Sequence, residues 1–145
     1  MNKMQMQVAE FHSYYHVPIL GSPDIPDQKR IDLRIELIRE EFRELCFACG
    51  VDMYTYIGKV NKPHLVDVAD ALGDLLYVVF GSALEFGLDM EPIFDEIQRS
   101  NMSKLGDNGK PIYASNGKVL KGPHWFPPDI ARIIAKMKAD AYGKG

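Results

Sequence analysis

Six acids carry the chemical interest of this 145-residue sequence. Asp67, Asp70 and Asp74 stand near the start of VDVADALGDLLYVVFGSALEF (66–86), a run with no basic residue and mostly apolar side chains. Spacings of three and four place the three aspartates within an arc of roughly 60° on a helix. Glu40, Glu41 and Glu44 fall within an arc of roughly 100° on the helical stretch before it. Alone, the glutamate row reads as a solvated face. Two antiparallel helices joined by a short connector would bring both rows together, and a carboxylate taken out of water needs a cation or a donor. The expected chemistry is a hard divalent cation between the two rows, magnesium or manganese, which prefer oxygen ligands.

Other acid-using sites do not fit. A di-iron bundle needs Glu-x-x-His, and none of His12, His16, His64 and His124 follows a glutamate by three. There is no DxDxDG loop for calcium and no GxxxxGK[ST] phosphate loop. Cys46 and Cys49 form a CxxC, but no second Cys pair or Cys/His cluster completes a zinc site. They read as buried or half-buried thiols in a reducing, cytoplasmic setting.

The elements that must position these acids are helices. Met4, Val8, Phe11 and Tyr15 predict an amphipathic helix over 4–15, with those four on the buried face. A loop with three prolines follows. Asp27 caps a long helix over 28–49, whose apolar stripe is Ile31, Ile35, Ile38, Phe42 and Leu45 and which Gly50 ends. Residues 50–63 connect, with a short helical piece allowed there. The aspartate helix covers 64–86, is expected in the core, and stops at Gly87. A fourth helix begins with Pro92 in its first turn and runs to about 100. DNG and SNG turns in 106–128 predict a hairpin or flap carrying Ile112, Tyr113, Val119 and Leu120. Asp129 caps a last helix, IARIIAKMKADAY.

The chain reads as one domain, 1–145. Its apolar fraction of 46% and charged fraction of 26% are those of a soluble globular protein. The net charge of -3 argues against nucleic-acid binding. No apolar run reaches the ~20 residues of a membrane span, so no membrane partner is expected.

EExxEL (Glu40, Glu41, Glu44, Leu45) followed by DxxDALGDLLYVV (67–79) resembles the MazG-like, all-α nucleoside triphosphate pyrophosphohydrolases, with their ExxE, spacer, ExxD pattern. The tail from Asn101, NMSKLG…GK…GKVLKGPHWFPPD, is similar to a phage and bacterial subgroup related to phosphoribosyl-ATP pyrophosphohydrolase. Ala71 stands where many relatives carry Glu, so the acid moves to Asp70, with Asp67 opening a D-x-x-D substitute.

The resemblance implies an all-α helical bundle completed by oligomerisation, as homodimer or homotetramer. It also implies hydrolysis of a (d)NTP to (d)NMP and diphosphate with two to three Mg²⁺ or Mn²⁺ ions per site. The metal ligands it implies are Glu41, Glu44, Asp70 and Asp74, with Asp67 as an alternative; Glu40 or Glu41 would take the proton of the attacking water. Asn101, Lys104, Lys118 and Lys121, with Lys110 a weaker candidate, would meet phosphate. Phe11 and His12 would meet the base. A purine deoxynucleotide, dGTP first, is the expected substrate, with dGMP supplied for a modified purine in a phage. The alternatives are a phosphoribosyl-ATP pyrophosphohydrolase, a dUTP/dCTP pyrophosphatase, or a non-catalytic helical interaction module. Trp125 and Phe126, between prolines, would pin the tail or line a neighbouring subunit.

Overall fold

A computed structural model describes residues 1–55 and 61–143. Among them lie five helices: α1 (Lys3–Tyr14), α2 (Gln28–Ala48), α3 (Leu65–Glu85), α4 (Met90–Met102) and α5 (Ile130–Tyr142). The described residues hold no strand, only an isolated antiparallel bridge between Tyr113 and Val119. The fold is all-α. Two units divide the chain, Met1–Leu88 and Asp89–Gly145.

In the first unit α3 packs against both α1 and α2. Asn2 caps α1 by accepting from the Gln5 amide, and Asp27 caps α2 by accepting from Arg30. Three helices end alike. The amides of Val17, Val51 and Leu88 reach back five residues to the carbonyls of His12, Cys46 and Ala83. The residue before each acceptor-seeking amide, His16, Gly50 or Gly87, takes positive φ (56°, 71° and 66°). The loop after α1 is strapped to the end of α3, with Leu20 N–H on Leu84 carbonyl and Asp24 N–H on Phe86 carbonyl. In the connector 50–63, where a short helical piece was allowed, residues 53–55 form a turn, and 56–60 lie outside the described residues.

Burial corrects three of the sequence expectations. The inward face of α1 is Gln5, Val8 and His12, while Met4, Phe11 and Tyr15 are exposed. Polar groups took the inner positions because each finds a partner there: Gln5 Nε2 donates to the Leu88 carbonyl at 2.7 Å, and His12 Nδ1 lies 3.1 Å from that of Pro18. On α2, Ile35 and Phe42 are also exposed. The aspartate helix is core only in part. Ala71 and Phe80 to Glu85, apart from Ser82, are buried, whereas Leu65, Val66, Leu72 and Leu76 are exposed, because α1 and α2 cover one flank of α3.

In the second unit α4 meets α5. The carboxylate of Glu96 joins them: it accepts from Arg99 on its own helix and from the Asp129 amide at 2.6 Å, where α5 begins. Asp129 in turn caps α5 by accepting from the Arg132 amide. The segment between folds as a short hairpin, with Leu120 N–H on Ile112 carbonyl and Ala114 N–H on Lys118 carbonyl. Trp125 and Phe126 are held inside this unit. Lys121 Nζ sits 3.5 Å over the Trp125 ring, Arg99 lies over Phe126, and Ser100 Oγ donates to the Phe126 carbonyl.

Candidate functional site

The glutamates of α2 and the aspartates of α3 converge. Glu41 shows it: its carboxyl is held above the ordinary glutamate range, first by partial burial and then by the negative charges of Glu44, Asp74, Glu40 and Asp70. Charges act on one another this way only at close range, so acids from two helices share one neighbourhood. No Lys or Arg among the described residues forms an ion pair with Glu40, Glu41, Glu44, Asp70 or Asp74. Among the described residues, the ion-pair partner of Asp67 is His64, 3.2 Å away.

Beside these acids opens a cleft of about 800 Å³. Glu40, Glu44, Asp67 and Asp70 line it, together with Arg43, Cys46, Phe47 and Ala71. Val51, Asp52, Met53 and Tyr54, in the turn after α2, complete the described lining with Ala48. Glu40, Glu44, Asp67, Asp70 and Asp74 are all exposed, and Glu41 is half-buried. The expectation of acids buried in a core is corrected accordingly. Water still moderates the repulsion around the exposed acids, while partial burial and the neighbouring carboxylates hold Glu41 above the ordinary glutamate range.

A divalent cation fits this set in kind. All the donors are carboxylate oxygens, the hard ligands that magnesium and manganese prefer. As placed, no group of three or more His, Cys, Asp or Glu among the described residues is gathered tightly enough to hold an ion.

The other residues singled out in the sequence are not among the described lining of this cleft. Asn101, Lys104, Lys118 and Lys121 belong to the second unit, where Lys121 already faces Trp125. Phe11 is 41% exposed and packs on Tyr15 (4.4 Å between centroids) and edge-on to Tyr77 (5.7 Å). His12 is 2% exposed, so it presents no surface to a base. Its Nδ1–H donates to Pro18, which leaves Nε2 to accept from Arg34 at 3.3 Å. Burial first, then the Arg34 charge, hold its pKa below the usual histidine value, against the Pro18 hydrogen bond.

Further along α2 and α3 lies a cluster that the sequence reading did not single out. Glu85, 1% exposed, accepts from Arg30 Nε at 2.7 Å, from a second Arg30 nitrogen, and from Arg34 Nε at 2.6 Å. These two arginines hold its carboxyl below the ordinary range although burial alone would raise it. The available signal was a lone acid in the apolar run SALEF, with two arginines four residues apart on α2. Gly81 passes beside this cluster; a Cβ there would stand 3.0 Å from Arg34 Nη1 and from His12 Nε2.

Residues 8–101, well over half of the chain, match the family model described as phosphoribosyl-ATP pyrophosphohydrolase. The chain belongs to the phosphoribosyl-ATP pyrophosphohydrolase family. The match covers α1 from Val8, both acid rows and nearly all of α4. Among curated relatives of this family member, an uncharacterized protein of Acanthamoeba polyphaga mimivirus is 30% identical over 114 residues, which is 77% of this chain. The chain spans only 38% of that relative's length. Among solved structures, a candidate NTP pyrophosphohydrolase from Exiguobacterium sp. 255-15 is 27% identical, covers 96% of this chain and 98% of its own, and has a TM-score of 0.49.

Proposed function

We propose that this family member is a divalent-metal-dependent nucleoside triphosphate pyrophosphohydrolase, converting a (d)NTP and water to a (d)NMP and diphosphate. The observation that carries the reading is Glu41 among four other acids from two helices, with no counter-charge on them from the described residues. Glu41, Glu44, Asp70 and Asp74 would hold the cation, with Asp67 at the cleft wall. Bound there, Mg²⁺ or Mn²⁺ would neutralise the polyphosphate and acidify a water.

Glu40 is exposed on the cleft and takes the proton of the water whose oxygen attacks the α-phosphorus. The α–β bridging oxygen then leaves with the diphosphate. Arg43 lines the cleft and is the cation we propose to meet phosphate. Asn101, Lys104, Lys118 and Lys121 remain proposed phosphate contacts on the tail resemblance.

That resemblance also favours a purine deoxynucleotide, dGTP first, in the setting of a phage that makes a modified purine. A second reading, hydrolysis of phosphoribosyl-ATP itself, is favoured by the description of the matching family. The exposed Leu65, Val66, Leu72 and Leu76 of α3 support a second copy covering them, so a homodimer or homotetramer is proposed. The free thiols of Cys46 and Cys49 suit a cytoplasmic setting.

A panel of dGTP, GTP, dATP, dUTP, dCTP and phosphoribosyl-ATP, assayed for diphosphate release with Mg²⁺ and Mn²⁺, tests the function. Release of diphosphate from dGTP is expected. No release from any of them, together with no Mn²⁺ binding by calorimetry, would return the chain to a non-catalytic module.

A further inference from the structure

The cleft has a second wall that the proposed chemistry leaves unused. Glu40, Arg43, Glu44 and Phe47 follow one another at i, i+3, i+4 and i+7 on α2, so they share a face. At ~1.5 Å per residue, Phe47 stands about 10 Å along the axis from Glu40. Past the helix end, Met53 and Tyr54 line the same cleft. Phe47 is 66% exposed and Tyr54 83% exposed. Two large rings are thus kept in water next to a row of carboxylates.

The described lining contains no Asn, Gln, Ser, Thr or His. Asp52, the acid nearest the rings in sequence, already accepts from the amides of Tyr54 and Thr55 and from the Thr55 hydroxyl. These hydrogen bonds hold its carboxyl below the ordinary range. This wall offers ring faces and a thioether, with few side-chain groups for reading the edge of a base.

Resting on the nucleotide reading above, we infer that Phe47, Met53 and Tyr54 form the nucleobase seat, which selects by ring area and therefore takes purines ahead of pyrimidines. Aromatic stacking tolerates every base because every base has a π-face, and its strength grows with the area of the overlapping rings. The seat begins where the acid row ends on the same face of α2, so one ligand would span both, phosphates on the carboxylate side and base on the rings.

The test separates binding from turnover. AMP, GMP, CMP and UMP are titrated by calorimetry with metal chelated, and diphosphate release is measured from ATP, GTP, CTP and UTP with Mg²⁺. Both purine monophosphates should bind several-fold more tightly than both pyrimidine ones, a difference between two stacks and so smaller than the contribution of one. Phe47→Ala and Tyr54→Ala should erase that gap with unchanged melting temperature and Mn²⁺ affinity, and Phe47→Trp should keep it. Pyrimidines binding as tightly as purines, a gap that survives both alanine variants, or no monophosphate binding at millimolar concentration overturns the seat. If the purine gap is present but no triphosphate is cleaved, the seat stands and the hydrolase falls. Cleavage without the gap does the reverse.

Discussion

Glu41 and Glu85 are both acids on long helices of the first unit, and their surroundings drive them in opposite directions. Partial burial and then like charges raise the proton affinity of Glu41; Glu85 is buried too, but two guanidinium groups outweigh that burial and lower its proton affinity. The consequences for stability have opposite signs. A raised carboxyl destabilises the folded state once it ionises, from the ordinary 4.5 upward. Glu41→Gln should therefore raise the melting temperature at pH 7, and the gain should vanish below pH 4.5, while diphosphate release falls by about 10²-fold or more. Glu40→Gln should lose similar turnover yet keep Mn²⁺ affinity, which Glu41→Gln should not; loss of affinity in Glu40→Gln with retention in Glu41→Gln would reverse the two assigned roles. Glu85→Ala strands Arg30 and the buried Arg34 and should cost about 3–5 kcal/mol in denaturant unfolding, whichever substrate is turned over.

At the level of elements, helix ends show how local chemistry sets tertiary placement. α1, α2 and α3 each stop on a residue of positive φ, and two of the three use glycine. Gly87 cannot be replaced cheaply, because a Cβ there would lie 2.2 Å from the Ser22 carbonyl oxygen. Gly87→Ala should destabilise by at least about 1–2 kcal/mol from left-handed strain alone, with the close contact added. At the equivalent position of α1, His16→Gly should stabilise by up to about 1 kcal/mol, since His16 pays a left-handed cost that glycine avoids. Thermal melts of the two single variants give the comparison, and a loss of stability in His16→Gly would show that the imidazole itself contributes. α3 changes character along its length: its first half carries the exposed acids and only Ala71 buried, and its second half supplies the buried Phe80, Leu84 and Glu85.

Across the whole molecule, acid should be the weak side. In the second unit Glu96 is held down to about 2, first by Arg99 and then by the Asp129 amide. A depressed carboxyl lends stability above its unfolded value of 4.5 that is lost as pH falls toward its folded value. Glu85 acts in the same direction in the first unit. His12, lowered from 6.5 by burial, adds to it, because the unfolded chain takes up that proton first. Unfolding free energy should thus fall on acidification below pH 6.5, and Glu96→Gln should flatten the part of the profile between 4.5 and 2. An unchanged profile in that variant would mean that the joint between α4 and α5 does not depend on the charge.

The helices, their caps at Asp27 and Asp129 and the two acid rows were legible in the sequence, because periodicity, capping and turn residues act over a few positions of chain. The inner face of α1 was not. Gln5 and His12 displaced Met4 and Phe11 from the core because their partners, Leu88 and Arg34, lie 83 and 22 residues away. The Arg30 and Arg34 grip on Glu85 spans 55 and 51 residues, and no local pattern encodes a contact at that range. Hydrophobic spacing likewise marked all of α3 as core, whereas the extent of its cover was decided by where α1 and α2 came to rest. The sequence determined which side chains could do chemistry; only packing decided which of them face the cleft together and which became scaffold.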